Sequence, residues 1–363
     1  MIFSTASLGS PNPNPNEASK NSLMPKLWKL SENFRTHVGI VNIANSVVEL
    51  LCKFFPNSID RLDPERSSIA GPRPIFTNGT ENALEALFGT SGSNACEFLE
   101  FGAFQVILVR DDATKKDVMK VCADRATVLT VLEAKGIELD DCLLYNFFSS
   151  GNTKEQWRVL YEAFSPDTPH PKFDVHKHSV LCAELKFLYV LITRTRQRLI
   201  ICDDDTDRRK VMLEYWKHFD LVEVKSLDED VKRMFETVNT PEEWRASGRQ
   251  LFDRKLYADA QRSFQRAGDD LKAEECMARA LEQEADKEQA VAPVKAHGLY
   301  KKAAKIFEKI DHAFEAGRCF ESAKEYAAAA LQYSKTSRFK DAARCYEQLK
   351  MWSEAAKHLV SGA

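Results

Sequence analysis

Apolar residues fall into two textures along this chain. Between residues 30 and 55 they recur at helical spacing, with Val38, Ile40, Val41, Ile43, Val47, Val48 and Leu51 on one side, which predicts a helix with a buried face. From Pro72 to about Asp204, short β-branched runs appear at Pro74–Phe76, Gln105–Val109, Thr127–Val131, Cys142–Phe148 and Leu199–Cys202. Stretches of helical character lie between them, at Glu81–Leu87, Thr114–Val121 and His178–Leu188. Runs that are apolar at nearly every position, alternating with helices, predict an α/β domain built on a parallel sheet buried on both faces. Residues Asp207–Glu236 read as helical, with Trp216 and Phe219 as anchors onto the sheet.

After Thr240 the pattern is helical and repetitive. Thr240, Pro241 and Glu243 form a capping box with proline at the first helical position, a strong start signal. An aromatic–alanine–aromatic grammar then recurs: Tyr257, Ala260 and Phe264; Tyr300, Ala303, Ala304 and Phe307; Tyr326, Ala329, Ala330 and Tyr333; Phe339, Ala342, Ala343 and Tyr346; Trp352, Ala355 and Ala356. The last three begin 13 residues apart. Small residues let helices approach closely while aromatic rings fill the gaps, which predicts a stacked all-α helical-repeat solenoid. It is similar to the tetratricopeptide class, with tighter spacing than the usual repeat. Such an array is expected to fold independently of what precedes it.

Composition narrows the class. Hydrophobic residues make up 44% and charged residues 29%, ordinary for a globular protein, and a formal net charge of −3 gives no global basic signal. Nine cysteines with no CxxC pair argue against a disulfide framework or a zinc ribbon and for a reducing compartment, nuclear or cytoplasmic. No stretch approaches the apolar length of a membrane span. Residues 1–22, with the run Pro11 to Asn16, read as a disordered leader. The expected division is a leader over 1–22, an α/β domain over 23–239 and a solenoid over 240–363.

Three segments carry candidate chemistry. Leu188, Tyr189, Val190, Thr193, Arg194, Arg196 and Leu199 sit where a helix meets a strand. They resemble the sixth motif of UvrD/Rep-type superfamily 1 helicases, LYVAxTRARxxL. Thr130, Lys135, Gly136 and Glu138 match the fifth motif, T-x-H-x-x-K-G-L-E, with Leu132 where the family has His and Leu139 where it has an aromatic residue. Leu30 to His37 parallels the fourth motif, L-x-x-NYRS, with Phe34 for Tyr and Thr36 for Ser. The segments appear in family order over roughly Leu30 to Val224.

That resemblance implies a second RecA-like motor domain. Arg194 and Arg35 would be catalytic, meeting the γ-phosphate of ATP; arginine suits this because its planar guanidinium stays protonated and grips phosphate oxygens two at a time. Glu138 would contact the nucleotide sugar, with Gly136 and Arg196 beside it, and Gly136 would form a tight turn. Thr130 and Lys135 would face single-stranded nucleic acid. ATP and magnesium are implied only together with a first RecA-like domain supplied in cis or in trans, because this sequence has no GxxxxGK followed by Ser or Thr and no apolar strand ending in paired acids ahead of Arg35. The interval from Arg35 to Thr130 is also too short for the family's large accessory insertion. A trimmed motor followed by helical repeats is similar to the eukaryotic TPR and ankyrin repeat-containing helicase-like proteins. It is also what a fragment, a truncated gene or a degenerate paralogue would look like.

Two functions follow. One is the C-terminal half of an ATP-dependent helicase or translocase, inactive alone. The other is a non-catalytic interaction protein whose solenoid holds a protein partner. His170, His176 and His178 match no zinc spacing and read as solvated. Asp203, Asp204 and Asp205 read as a solvated acidic turn, and Cys276, Cys319 and Cys345 as packing on the small-residue face of the solenoid. No metal site is expected.

Overall fold

The computed structural model describes residues 31–77, 83–88, 99–150, 154–227 and 229–362. The expected leader, residues 1–22, lies outside them, as does Leu30. Among the described residues, no helix is long and apolar enough to cross a membrane.

The first half runs α1 (Val38–Phe54), β1 (Ile75–Thr77), α2 (Ala83–Phe88), β2 (Gln105–Val109), α3 (Asp112–Cys122), β3 (Thr127–Thr130), β4 (Leu139–Tyr145), α4 (Lys154–Trp157), α5 (Tyr161–Phe164), α6 (Ser179–Ile192), β5 (Thr195–Cys202), α7 (Thr206–His218), β6 (Glu223–Lys225) and α8 (Glu229–Arg233). The strands form one six-stranded sheet, order β3-β2-β4-β5-β1-β6, with every neighbouring pair parallel. Period-two burial explains the continuous apolar runs. Val106, Leu108, Cys142, Leu144, Leu199 and Ile201 enter the core beneath α1, α6 and α7. Ile107, Val109, Leu143, Tyr145, Ile200 and Cys202 enter a second core on the other face, beneath α2, α3 and α8. Each strand therefore feeds two layers, and a polar residue on either side would face a hydrophobic wall.

Sequence boundaries shift in instructive places. Helix α1 begins at Val38, because His37 caps it by accepting from the Gly39 N–H; the residues before it form the extended segment considered below. Strand β4 starts three residues earlier than its apolar run, since Asp141 is buried and paired with Arg198 at 2.8 and 2.6 Å. The Asp207–Glu236 stretch contains the edge strand β6, pairing with β1, rather than helix throughout. Trp216 is fully buried, and its Nε1 donates to Ser46 Oγ at 3.0 Å, tying α7 to α1. Phe219 is instead 48% exposed, its ring lying against Tyr215 and His218 of its own helix.

The second half is α9 (Pro241–Asp253), α10 (Tyr257–Arg266), α11 (Asp270–Glu288), α12 (Pro293–Lys309), α13 (Ala313–Ser322), α14 (Tyr326–Lys335), α15 (Phe339–Gln348) and α16 (Trp352–Ser361). The capping box forms as read: Thr240 N–H donates to Glu243 at 2.7 Å and Glu243 N–H to Thr240 Oγ1 at 3.2 Å. Each helix packs chiefly on its neighbours in sequence. From α13 onward the unit is a ten-residue helix and a three-residue turn, which is the 13-residue spacing.

The trailing aromatic of the grammar closes its unit, and in α13, which the grammar did not include, Phe320 takes the same place. Carbonyls of Phe264, Phe307, Phe320, Tyr333 and Tyr346 accept from the N–H five residues on, at 2.8 or 2.9 Å. Each turn carries a left-handed residue four positions after the aromatic: Gly268, Asp311, Lys324, Ser337 and Lys350. That is the Schellman ending, repeated. The alanines Ala303, Ala304, Ala329, Ala330, Ala342 and Ala343 are buried at the helix contacts, and Cys276, Cys319 and Cys345 are buried beside them. Burial pushes those three thiols up to about 12. The last unit departs from the pattern, with Trp352 at 65% exposure and Ala356 open to solvent.

The junction between the halves is more intimate than an autonomous solenoid would need. Ser247 Oγ donates to the buried Ala103 carbonyl at 2.6 Å, and the Ala103 N–H donates to Asn239 at 3.0 Å. Leu251, Ala260 and Phe264 join the hydrophobic core of the sheet domain. Ala273 and Cys276 of α11 belong to the same core, so α9, α10 and the start of α11 are shared between the two halves, and the expectation of an independent array is left to the helices beyond them.

Candidate functional site

Parts of all three motif-like segments meet at one place, the edge where β4 and β5 begin. Helix α6 ends at Ile192 and β5 starts at Thr195, so Thr193 and Arg194 form the elbow. The last carbonyls of a helix lack partners, and this elbow supplies them. Thr193 Oγ1 donates to the Tyr189 and Val190 carbonyls at 2.9 and 3.1 Å, and Arg194 Nε donates to Val190 at 3.0 Å. A cation at the negative end of the helix dipole is favourable there. The Arg194 carbonyl accepts from the Leu139 N–H at 3.1 Å, which fastens the elbow to the first residue of β4 and sets Glu138 beside it.

The segment before α1 is folded onto the same elbow. Asn33 Oδ1 accepts from the N–H groups of Arg35 and Thr36, and its amide donates to Glu65 at 2.8 Å, so the turn around Phe34 is fixed from within. Thr36 Oγ1 donates to the Arg196 carbonyl at 2.8 Å, and His37 Nε2 meets the Gln197 carbonyl at 2.6 Å. With Nδ1 accepting from Gly39, the ring donates through Nε2 and is held at both nitrogens. Gly39 must lack a side chain, because a Cβ there would run into the Pro72 carbonyl.

These constraints bring Arg35 and Glu138 together, Nε to Oε1 at 2.9 Å, with both side chains close to half exposed. A pair so open adds little stability; its interest lies in position. Arg194 is half-buried near both, and burial, reinforced by the positive charge of Arg35, holds its pKa below the ordinary arginine value. Two guanidinium groups and one carboxylate thus converge from three distant segments. Arg196 faces the neighbouring Asp140 at 3.8 Å. Behind Tyr189 and Val190 a mainly apolar cavity of about 910 Å³ opens between α1, residues 59–65 and α6.

Gly136 sits at φ +80°, in the turn that precedes Glu138, where a side chain would be strained. Thr130 lies elsewhere. Along β2 it is level with Val109, whereas Asp141 is level with Gln105, so Thr130 is about 13 Å up the sheet from Asp141 at the usual rise per residue, and farther still from the edge at Glu138. Thr130 is buried and accepts from the Glu133 N–H at 3.4 Å. Lys135 is exposed, and Leu132, at the family's histidine position, is 79% exposed.

The acidic turn is solvated only in part. Asp203 is fully buried and accepts from the N–H groups of Phe148, Ser149 and Asp205 at 2.7, 3.2 and 3.2 Å; burial raises its pKa to about 6. Asp204 accepts from Tyr145 and Asn146, and Asp205 caps α7. His178 is also buried, stacked on Phe173 with its Nδ1 at the Asp174 backbone. His170 keeps a bond to the Thr168 carbonyl at 2.7 Å, and His176 is exposed. No cluster of three metal-ligating side chains occurs among the described residues. Within the segment Leu30 to His37 only Arg35 was expected to act, whereas Asn33, Thr36 and His37 fix its place, and the side-chain oxygen of Asn33, two and three residues before Arg35 and Thr36, is a legible turn signal.

No protein-family model matches the chain. Human TPR and ankyrin repeat-containing protein 1 is 30% identical over 333 residues, an alignment covering 84% of this chain and 11% of the human protein. The chain therefore corresponds to about a ninth of that relative's length, and what it is similar to is one segment of a much larger repeat-containing protein.

Proposed function

We propose that this chain is a segment of an interaction scaffold, with the helices of the solenoid presenting the surface that a protein partner reads. The observation that carries this is the mode of packing: α11 to α16 bury their small-residue faces on sequence neighbours and leave outer side chains such as Leu331 and Trp352 in solvent. The relative's own name speaks of repeats, which favours the same reading. The test uses the full chain as bait in cross-linking mass spectrometry, beside a variant carrying Leu331→Ser and Trp352→Ser. A specific partner whose cross-links map to the solenoid and vanish in the variant supports the scaffold. Cross-links confined to the sheet domain would overturn it.

A second reading has its own support, the convergence of Arg35, Glu138 and Arg194. In it the sheet domain is the C-terminal half of a UvrD-like motor. Arg35 and Arg194 would offset charge on a transferring phosphoryl group and Glu138 would orient the nucleotide. ATP and magnesium would be held mainly by a first RecA-like domain, and single-stranded nucleic acid would pass on the side of Thr130 and Lys135. The purified chain alone should hydrolyse no ATP above background. Mixed with a matching first domain it should gain turnover, and Arg194→Ala should lower that turnover about 10³-fold. Equal rates in wild type and variant would remove this reading.

A further inference from the structure

The loop that carries Glu138 is held from outside its own domain. Arg254, at the C-terminal end of α9, donates from its guanidinium to the Gly136 carbonyl at 3.0 Å. Gln250, one turn earlier on α9, reaches the Glu138 carbonyl at 3.4 Å. The two contacts bracket Ile137, so the first solenoid helix grips the backbone on both sides of that residue. A Cβ at Gly136 would meet the Arg254 guanidinium, which would have to swing aside. Gln250 also completes the wall of a cavity of about 310 Å³ with Phe104, Gly136, Glu138, Asp140 and Arg196. Helix α9 is in turn fixed to the sheet domain through Ser247 and Ala103.

We propose that Arg254 and Gln250 are positioning residues that set the Gly136–Glu138 turn, and through it the Glu138 carboxylate against Arg35, so that a partner displacing the start of the solenoid alters the candidate site. The inference deepens the motor reading and rests on it for its consequence, but the coupling itself is a property of the unliganded chain. The carbonyls involved belong to a turn whose amides are themselves bonded: Lys135 to Leu132, Ile137 to Ala134 and Leu139 to Arg194. Loosening the carbonyl side therefore shows up as faster exchange of those amides.

Hydrogen exchange of the full chain tests this. Peptides spanning 131–139 and 33–37 are compared in wild type, Arg254→Ala with Gln250→Ala, Arg254→Lys, and Arg344→Ala. Arg344 pairs with Glu321 far along the solenoid and controls for general loosening. The double variant should exchange about tenfold faster over 131–139, following the shift in an opening equilibrium. Arg254→Lys should recover part of that protection, and Arg344→Ala should match wild type. Unchanged exchange in the double variant, with folding intact by circular dichroism, overturns the proposal, as does equal acceleration by Arg344→Ala. A fluorescent ATP analogue, added with the matching first domain, separates the two ideas. Exchange that responds while no form binds nucleotide leaves the coupling standing and removes the motor reading.

Discussion

The hydroxyl of Thr36 donates to the carbonyl of Arg196 at 2.8 Å across 160 residues of chain. Together with the His37–Gln197 bond, it makes the extended segment before α1 part of the α6–β5 elbow. Both donors are buried, so removing either leaves an acceptor without its partner. His37→Ala should cost about 2–3 kcal/mol and Thr36→Val about 1–2 kcal/mol of unfolding free energy. Urea melts read this directly, and wild-type midpoints in both variants would show that the segment is not docked.

A pH dependence follows from Asp203. Its folded-state value of about 6 lies above the ordinary 3.8. Between those values the folded protein holds a proton that the unfolded chain has released, so stability declines as pH rises through the window. The contribution of Asp203 is fully present below the unfolded value and lost above about 6. Urea midpoints measured at intervals across that window should fall with rising pH, and Asp203→Asn should remove that component of the fall. An identical slope in the variant would place the titrating group elsewhere.

The repeated turn makes a prediction in the stabilising direction. Lys324 occupies a left-handed position with φ +59°, where Gly268 stands in an earlier unit at φ +68°. Lys324→Gly should stabilise the chain by about 0.5–1 kcal/mol, because a side chain is costly in that conformation. A lowered thermal midpoint would mean that Lys324 makes a contact worth more than the strain it carries.

Two alanines of the same grammar should respond in opposite ways. Ala343 is buried between helices and Ala356 is exposed on the last one. Ala343→Glu should cost at least ~3 kcal/mol, whereas Ala356→Glu should stay within ~0.5 kcal/mol. Thermal melts of the two variants, recorded by circular dichroism, distinguish them.

What the sequence disclosed depended on the range of the interaction. The double-sided sheet was readable because Val106 to Val109 and Cys142 to Leu144 are apolar at every step, and burial on both faces demands it. The solenoid was readable because the capping box at Thr240 and the 13-residue aromatic spacing are local. Strand β6 was hidden because Glu223–Lys225 is an edge strand of three residues with a charged side chain at either end, and only its pairing to β1 makes it a strand. The acidic turn misled for a related reason. Three aspartates in a row suggest solvent, yet Asp203 is drawn inward by N–H groups from residues 55 and 54 positions away. At the candidate site, Arg35, Glu138 and Arg194 could be picked by resemblance. Their supports at Arg254 and Gln250 could not, since a carbonyl's distant partner leaves no local pattern.

The 13-residue unit contains a single helix, and this has a consequence for how such an array can change length. A three-residue turn after each ten-residue helix sends the chain back on itself, so successive helices alternate in direction. Gaining or losing one unit would therefore exchange the roles of the two faces for everything downstream, whereas gaining or losing two would leave the faces in register. Growth of the array is constrained by parity: viable length variants should differ by multiples of about 26 residues, and any surface shared with a partner should recur on alternate helices.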